Sequence, residues 1–365
     1  MPKLGVEAAL VGGKLVPGDV EVVDGEIAGY GLPSAHGRGI ASPGFVDLQV
    51  NGFGGVDLLE AEADGFRRAG DALLESGVTA YLPTFITAPE DEVLRALRGL
   101  PSAKGGPRIL GAHLEGPFIA PTRLGAHPSA HRRDPDIELL ERLLAAGPVR
   151  LVTLAPELPG AEALIELLHL RGITVSCGHS DATAEQAEAA FENGVRTVTH
   201  LFNAMRPFHH RDPGLAGAAL SRADIVVQII VDGVHLAEET VEVISRAASG
   251  RVALVTDAIA PAGATVTDGP SSLGGFAISI RNGVARGQDG VLAGSLLTMI
   301  EAVRNLHGLG VSLEDALTAA TSIPAAVIEE PVAGRLEVGL PADLVVLDQH
   351  LEVERVLMAG EVRGP

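Results

Sequence analysis

Short apolar runs alternate with longer helical stretches along most of the chain. From Gly44 onward the runs are rich in Val, Ile and Leu, and the stretches between them are rich in Ala, Leu and Glu. This alternation is typical of βα units, in which successive strands lie parallel in one sheet. The predicted strands are 45–50, 80–84, 109–114, 149–154, 174–177, 197–200, 225–231 and 252–256. The predicted helices are 61–74, 90–100, 137–146, 161–170, 184–193, 237–247, 296–306 and 313–320. Eight strands of this kind predict a closed (β/α)₈ barrel of the TIM type, in the α/β class.

The two ends of the chain have a different pattern. Up to residue 39 the apolar pieces are short and are broken by turn residues such as Asp24-Gly25, which is typical of β-hairpins. Residues 334–362 again have the pattern of strands, and the Gly- and Pro-rich residues 261–294 are expected to form hairpins over one mouth of the barrel. We therefore predict a small β-sandwich domain of residues 1–42 and 333–365, and a barrel of residues 43–332.

The composition limits the possible partners. The 365 residues carry 27 Lys and Arg against 47 Asp and Glu, and the net charge of −20 opposes binding to nucleic acid or to an anionic membrane surface. A small anionic substrate would need a local group of cations. Cys177 is the one cysteine, and no sustained apolar run resembles a signal peptide or a membrane span. These features predict a cytoplasmic location.

Polar side chains stand where the predicted barrel strands end. In barrels of this type the chemistry lies at the carboxyl ends of the strands, so residues at these positions are candidates for an active site. A lone His at a strand end is more often a capped or hydrogen-bonded residue than a functional one. The prediction of an active site therefore depends on polar residues at the ends of several strands. The residues concerned are Gln49, Asn51, Glu115, His179, His200, Asp232, His235 and Asp257.

Glu115, His179 and His200 form the ligand set of a catalytic metal site. One carboxylate and two imidazoles are typical of catalytic zinc, which keeps a further position for water. Fe²⁺, Co²⁺ and Mn²⁺ accept the same ligands, so we expect one divalent ion, with Zn²⁺ preferred. A bound metal would acidify water and polarise a carbonyl, and Asp257 would move the proton from the water to a leaving amine. This chemistry predicts amide hydrolysis.

The distribution of lysines favours one metal over two. The chain has only Lys3, Lys14 and Lys104, and none of them lies in or after the fourth predicted strand. A barrel that holds two metals on a carbamylated lysine, or that forms a Schiff base, needs a lysine at a strand end. Gln49 and Asn51 occupy the positions where a second metal would need imidazoles, and neutral amides are poor ligands for it.

At these residues the chain resembles the N-acetylglucosamine-6-phosphate deacetylase family of the amidohydrolase superfamily. The resemblance covers nearly the whole length, and its stretches are specific when taken together. They are 43–55, 111–117, 178–183, 199–205, 213–218, 232–236, 254–263, 292–299 and 339–348. The resemblance implies deacetylation of a phosphorylated amino sugar by a metal-dependent homodimer. In one loop the chain departs from the family, which usually has two lysines where this chain has Arg123-Leu124.

The resemblance also implies roles for individual residues. Glu115, His179 and His200 match the metal ligands, and Asp257 matches the catalytic acid and base. His127 would support the amide carbonyl as oxyanion character develops, beside Ala126 in the same loop. The remaining matched residues would contact the sugar or its 6-phosphate, with Arg211 reaching in from the neighbouring subunit. They are Asn203, Ala204, Arg211, His235, Leu292, Ala293 and Gly294.

Several alternatives remain open on the sequence. The substrate could be the galactosamine epimer, or a cyclic amide, although the missing lysine and the amide pair on the first strand count against cyclic amidases. Arg211, beside two histidines, could be an ordinary solvated basic turn. A catalytically silent scaffold is disfavoured, because such a barrel would be expected to lose a ligand or the acid/base residue, and the four are present.

Overall fold

The computed structural model describes residues 3–34, 36–101, 106–265, 268–287 and 289–365, so Lys104 lies outside the described residues. The strands are β1 (Ala8–Val11), β2 (Lys14–Pro17), β3 (Asp19–Val23), β4 (Glu26–Leu32), β5 (Ile40–Pro43), β6 (Phe45–Val50), β7 (Gly52–Phe53), β8 (Val56–Asp57), β9 (Val78–Ile86), β10 (Arg108–Ile109), β11 (Ala112–Glu115), β12 (Val149–Leu154), β13 (Thr174–Cys177), β14 (Thr197–Val198), β15 (Val226–Ile229), β16 (Val252–Leu254), β17 (Gly269–Leu273), β18 (Phe276–Arg281), β19 (Val284–Arg286), β20 (Leu344–Leu347), β21 (Val353–Met358) and β22 (Glu361–Gly364). The helices are α1 (Ala63–Glu75), α2 (Glu90–Arg98), α3 (Ile137–Ala146), α4 (Ala161–Leu170), α5 (Ala184–Glu192), α6 (Gly214–Ser221), α7 (Glu238–Ala247), α8 (Met299–Gly308), α9 (Leu313–Ala319) and α10 (Ser322–Val327).

Eight parallel strands form a nearly closed barrel. They follow one another in the order β6, β9, β11, β12, β13, β14, β15 and β16, with helices in the crossovers. The last strand returns to the first through a parallel bridge between Val50 and Ala258, and the Asn51 amide donates to the Ala258 carbonyl at 2.8 Å. The predicted barrel is therefore confirmed.

The barrel interior contains a layer of hydrogen-bonded polar side chains. His113 contacts Thr84 on one side at 3.3 Å and Thr153 on the other at 2.8 Å. The chain of contacts continues from Thr153 to Thr199 at 2.7 Å and from Thr199 to Ser176 at 2.6 Å. Burial lowers the pKa of His113 to about 4, so its imidazole is neutral. These partners satisfy the buried polar atoms and place His113 beneath the mouth of the barrel.

Several barrel strands end earlier than their apolar runs. The runs predict strands to 200, 231 and 256, whereas β14, β15 and β16 end at Val198, Ile229 and Leu254. The chain leaves the ladder there because the following residues turn toward the barrel mouth, where His200 and Asp257 have φ angles of 28° and 50°. Regular strands require negative φ angles, so these residues cannot continue the ladder.

Two short helices, α6 and α10, are absent from the sequence prediction. Helix α6 contains Gly214 and Gly217, and glycine lowers helix propensity. Helix α10 has Pro324 in its first turn, where the missing amide costs no helical hydrogen bond. Both helices are short, and tertiary packing outweighs their weak local preference.

The two ends of the chain meet in a separate sheet of the order β2, β1, β5, β20, β21 and β22. Strand β5 pairs parallel with β1 and antiparallel with β20, so it joins the amino-terminal and carboxy-terminal strands. The β3–β4 hairpin turns at Asp24 and Gly25, whose φ angles of 52° and 85° suit a type I′ turn. Side chains from both chain ends form one buried cluster there, including Val6, Val20 and Leu344. The exact limits of the two domains stay a prediction.

The remaining segments complete the mouth of the barrel. Strands β17, β18 and β19 form a three-stranded sheet within the Gly- and Pro-rich segment, as the sequence predicts. Its Leu273 reaches the wall of the cavity at the barrel mouth. Within the described ranges, none of the helices combines the length and the apolar character that a membrane crossing requires.

Candidate active site and metal centre

Three predicted ligands meet at the carboxyl ends of β11, β13 and β14. The Nε2 atoms of His179 and His200 lie 3.1 Å and 3.0 Å from Glu115 Oε1, and 3.1 Å from each other. All three side chains are buried. Barrel topology explains the convergence, because the carboxyl ends of these parallel strands lie at the same edge of the barrel although the residues are far apart in sequence.

The backbone at this edge adopts an uncommon conformation. His179, His200 and Asp257 have φ angles of 48°, 28° and 50°, in the left-handed region that non-glycine residues seldom occupy. Such a conformation costs of the order of 1 kcal/mol or more and persists only where its surroundings enforce it. At the carboxyl edge of the barrel the fold therefore maintains an unfavourable backbone conformation at the residues that carry the candidate side chains.

The ligand set fits a divalent cation. His179 Nδ1 donates to the Arg123 carbonyl at 2.9 Å, which leaves Nε2 as the atom with a free lone pair. Tetrahedral zinc with bonds of about 2 Å separates its ligand atoms by roughly 3.3 Å, close to the spacing of the Glu115, His179 and His200 atoms. In the part of the chain that the structure describes, no other group of His, Cys, Asp or Glu has metal-ligand spacing.

The charges at this centre depend on one another. Burial alone would raise the pKa of Glu115, but its close contacts with His127, His179 and His200 hold it well below its ordinary value. Burial lowers the pKa of His200, but the Glu115 carboxylate outweighs this effect and raises it overall. A proton and a metal ion compete for the same imidazole nitrogen, so the centre binds metal more weakly at acid pH.

Asp257 lies beside this centre and is held by the amide pair on β6. Gln49 Nε2 donates to Asp257 Oδ1 and to Glu115 Oε1, both at 3.0 Å, and Asn51 Nδ2 donates to Asp257 Oδ1 at 2.7 Å. Among the described residues, none donates a hydrogen bond to Oδ2. Burial, followed by the charge of Glu115, raises the pKa of Asp257 to about 6. A carboxylate with one occupied oxygen and a pKa near neutrality suits proton transfer.

The side chain of His127 is oriented by Thr87. The Thr87 hydroxyl contacts Nδ1 at 2.9 Å, and the Thr87 backbone amide donates to the same nitrogen at 3.3 Å. A backbone amide can only donate, so Nδ1 accepts and the proton lies on Nε2. Nε2 is 3.5 Å from Glu115 Oε2 and therefore faces the metal centre. Burial, and then the charge of His179, lowers the pKa of His127 to about 4, which makes it a neutral donor at pH 7.

A cavity of about 350 Å³ opens above these side chains. A larger cavity of about 860 Å³ lies at the amino ends of the strands, against the terminal sheet, and contains none of the candidate residues. The candidate residues that line the smaller cavity are Asn51, Glu115, Ala126, His127, His179, His200, Asn203, Ala204, His235, Asp257, Leu292 and Gly294.

Four candidate residues lie outside this lining, namely Gln49, Asp232, Ala293 and Arg211. Ala293 is fully buried between the two lining residues Leu292 and Gly294, and its amide donates to the Ala285 carbonyl. Arg211 stands on an exposed turn, where its Nη1 contacts His210 at 2.7 Å. Within one subunit the structure therefore does not bring Arg211 to the metal centre.

The basic side chains of His235 and Arg123 at the cavity are each paired with a carboxylate. His235 Nδ1 donates to Asp232 Oδ2 at 2.7 Å, and the Arg123 guanidinium contacts Asp181 Oδ1 at 2.6 Å. Sequence reasoning missed Thr87 and Asp181 as functional neighbours. Both follow a barrel strand, so a strand-end criterion could have identified them, but nothing in the sequence indicates which side chain they contact.

Comparison with known proteins gives a consistent assignment. The Amidohydrolase family model matches residues 40–363. N-acetylglucosamine-6-phosphate deacetylase from Homo sapiens is 40% identical over 345 residues, which cover 89% of this chain and 84% of that protein. N-acetylgalactosamine-6-phosphate deacetylase from Escherichia coli O157:H7 is 35% identical and covers 88% of this chain and 86% of its own length.

A solved structure from Mycobacterium smegmatis shows the same architecture. It is an N-acetyl-D-glucosamine-6-phosphate deacetylase with one Asp-to-Ala substitution, in complex with N-acetyl-D-glucosamine-6-phosphate. It superposes with a TM-score of 0.93 at 37% identity, and the match covers 99% of this chain and 98% of that one. The chain therefore belongs to the amidohydrolase family, in the branch that contains the N-acetylglucosamine-6-phosphate deacetylases.

Proposed function

We propose that this protein hydrolyses the acetamide of N-acetyl-D-glucosamine 6-phosphate, releasing D-glucosamine 6-phosphate and acetate. The observation that carries the proposal is the meeting of Glu115, His179 and His200 beside Asp257 in one cavity. Similarity to named deacetylases over almost the whole chain supports the same reaction and substrate.

The side chains divide the reaction between them. A divalent cation held by Glu115, His179 and His200 would supply Lewis-acid chemistry, which polarises the amide carbonyl and acidifies the attacking water. Asp257 accepts a proton from this water and delivers it to the amine nitrogen as the C–N bond breaks. His127 donates its Nε2 proton in a hydrogen bond to the carbonyl oxygen as negative charge develops there. Gln49 keeps Asp257 and Glu115 at a fixed separation by donating to both.

Zinc is the metal that we propose for this centre. The set of one carboxylate and two imidazoles is typical of catalytic zinc, although Fe²⁺, Co²⁺ and Mn²⁺ accept the same ligands. Elemental analysis of protein purified without added metal tests the choice, with one zinc per chain as the expected result. Another metal at full occupancy would replace zinc in the proposal.

The 6-phosphate is the feature that we expect the enzyme to require. His235 lines the cavity and its Nδ1 donates to Asp232, so Nε2 is the remaining ring nitrogen, which donates to a phosphate oxygen when the ring carries both protons. Acetate release should be compared on N-acetylglucosamine with and without the 6-phosphate. If the unphosphorylated sugar reacts equally fast, the phosphate contact of His235 is wrong.

A second cation for the phosphate is proposed to come from a partner subunit. Arg211 is exposed, and the neighbouring Phe208 is 54% exposed, which suits a contact between copies of the chain. Arginine binds phosphate with two parallel hydrogen bonds. In this arrangement Arg211 of one subunit completes the site of the other, and the protein acts as a homodimer.

Mixing two inactive variants tests this arrangement. Arg211→Ala and Asp257→Asn subunits are unfolded together and refolded, or co-expressed. If Arg211 acts across the interface, each mixed dimer contains one intact site, and random mixing returns about a quarter of the wild-type rate. Without recovery in demonstrably mixed dimers, Arg211 does not act in the partner's site. Light scattering of the wild type checks the dimer itself.

The galactosamine epimer is the second candidate substrate. A relative with this activity in its name is 35% identical, within the range of the glucosamine relatives. Values of kcat/KM on the two 6-phosphates, measured side by side, decide between them. The cytoplasmic location stays a prediction, and fractionation of the source cells would test it.

A further inference from the structure

The loop of residues 120–127 packs directly against one metal ligand. The Ala120 amide donates to the His179 carbonyl at 2.9 Å, and the Arg123 carbonyl accepts from His179 Nδ1 at 2.9 Å. At Gly125 an added Cβ would lie 3.2 Å from His179 Cε1, so the loop is in contact with the imidazole edge. The same loop carries His127. Its position therefore affects both the ligand and the residue that faces the carbonyl.

An ion pair fastens this loop to the segment that follows the ligand. Arg123 Nε and Nη2 contact Asp181 Oδ1 at 2.8 Å and 2.6 Å. Asp181 lies two residues after His179, so the contacts close a ring. The ring runs from His179 along the backbone to Asp181, through the ion pair to Arg123, and back to His179 through the Arg123 carbonyl.

The Asp181 end of the ion pair is held from several sides. The Asp181 amide donates to Glu157 at 2.5 Å, and Arg206 Nη1 lies 3.7 Å from Asp181 Oδ2. Arg206 is in turn held by Asp212, at 2.7 Å and 2.9 Å. Asp181 is thus a fixed point, and the Arg123 side chain connects the loop to it.

We propose that the Arg123–Asp181 ion pair positions the metal ligand His179, and that breaking it weakens metal binding. The carbonyl that holds His179 Nδ1 belongs to Arg123 itself, so release of the guanidinium frees this carbonyl to move. Outer partners of ligating histidines fix the ring orientation and raise the basicity of the ligand. Arg123 and Asp181 are positioning residues. The inference rests on the proposed metal centre and not on the identity of the sugar.

The test measures metal affinity in the full chain, with Zn²⁺ as the probe. Dissociation constants are obtained by competition with a chromophoric chelator for the wild type, Arg123→Gln, Asp181→Asn and the double variant. Each single variant should bind Zn²⁺ about tenfold more weakly, and the double variant should be no worse than the weaker single one. Arg123→Lys, which keeps the charge, should recover part of the loss. The visible spectrum of bound Co²⁺ should change in Arg123→Gln, because a displaced imidazole alters the ligand geometry.

Arg222→Gln provides a matched control. The Arg222 side chain is 26% exposed against 28% for Arg123, and it also pairs with carboxylates, including Glu188 and Asp224, away from the cavity. This control should bind Zn²⁺ as the wild type does. Melting curves of the metal-free proteins separate loss of folding from loss of affinity.

Wild-type Zn²⁺ affinity in folded Arg123→Gln and Asp181→Asn would overturn the proposal. An equal loss in Arg222→Gln would overturn it as well, since the effect would then be general destabilisation. Failure of the proposed function looks different. In that case the wild type binds Zn²⁺ and releases no acetate from the sugar phosphate, while the affinity comparison still decides the role of the ion pair.

Discussion

Replacement of Asp257 by Asn removes the proposed proton acceptor and leaves its surroundings intact. Gln49 and Asn51 both donate to Oδ1, and a carboxamide oxygen at this position accepts the same two hydrogen bonds. The carboxamide nitrogen then takes the place of Oδ2, to which none of the described residues donates. The exchange is nearly isosteric, so the barrel and the metal ligands should keep their positions.

The size of the expected effect follows from the role of the carboxylate. General acid–base catalysis by one positioned side chain contributes about 10²- to 10⁴-fold to the rate, or roughly 3 to 5 kcal/mol in the barrier. The effect on stability has the opposite direction. Burial raises the pKa of Asp257 to about 6, so ionisation of this group opposes folding at neutral pH. We expect the metal-free variant to unfold at a temperature equal to or above that of the wild type.

The pH profile provides a second measure of the same group. A general base must be ionised, so wild-type kcat/KM should fall as the pH decreases below about 6. A bound cation would move this fall to a lower pH, because its charge favours the ionised carboxylate. The residual activity of Asp257→Asn should not show this fall at acid pH, because the carboxylate that causes it is gone.

The assay combines acetate release at saturating substrate with zinc content and melting temperature. Asp47→Asn is the matched control, because Asp47 is also a buried aspartate and bonds to Thr256, the residue before Asp257. A variant that retains full metal content and turns over within tenfold of the wild type would refute the role of Asp257, since at most about 1.4 kcal/mol could then be assigned to it. A loss of metal would instead show that Asp257 supports the ligand set.

Further predictions concern orientation, pH, helix capping and metal. Thr87→Val should lower kcat more than it raises KM, because His127 loses its hydroxyl partner, and Thr87→Ser should restore turnover. Burial raises the pKa of Asp47 to about 7 from 3.8, so the folded state holds this proton more tightly than the unfolded chain. Wild-type stability should therefore fall as pH rises from about 4 to 7, and denaturant unfolding of Asp47→Asn should show a smaller fall, because Asp257 still contributes. Thr298→Ala should cost about 1 kcal/mol by removing the cap of α8, as measured by urea unfolding. Chelation of the metal should lower the melting temperature, and Zn²⁺ should restore it. A metal-independent melting temperature would contradict the centre.

The barrel and its candidate ligands could be predicted because both depend on simple regularities. Buried parallel strands have continuous apolar runs, and β9 is buried along its whole length. Since all eight strands point the same way, their carboxyl ends form one edge, and this geometry brings Glu115, His179 and His200 together without any sequence motif. Successive side chains of a strand point alternately outward and into the barrel. This alternation places His113 in the interior, beneath the metal centre.

The finer features of the site depend on angles that an apolar pattern does not carry. The left-handed φ angle at His200 follows a strand that ends earlier than its apolar run, and a run of Val and Thr gives no sign of that angle. The proton on His127 is placed by a single backbone amide, that of Thr87, which lies in another loop. Such contacts depend on the relative positions of loops in the folded chain. The sequence therefore identifies the polar residues of the site but not which of them bond to each other.

The pairing of basic side chains with carboxylates at the cavity affects how the site can bind an anionic substrate. On a chain with a net charge of −20, a cationic pocket is the expected site for an anion. Yet Arg123 is held by Asp181 and His235 by Asp232, so neither side chain brings net positive charge to the cavity. The Glu115 and Asp257 carboxylates lie in the same cavity. A metal ion offsets part of this negative charge, and a dianionic phosphate still needs a cation from elsewhere. The electrostatics of one subunit thus favour a site completed by Arg211 of a second copy, which the mixed-dimer experiment addresses directly.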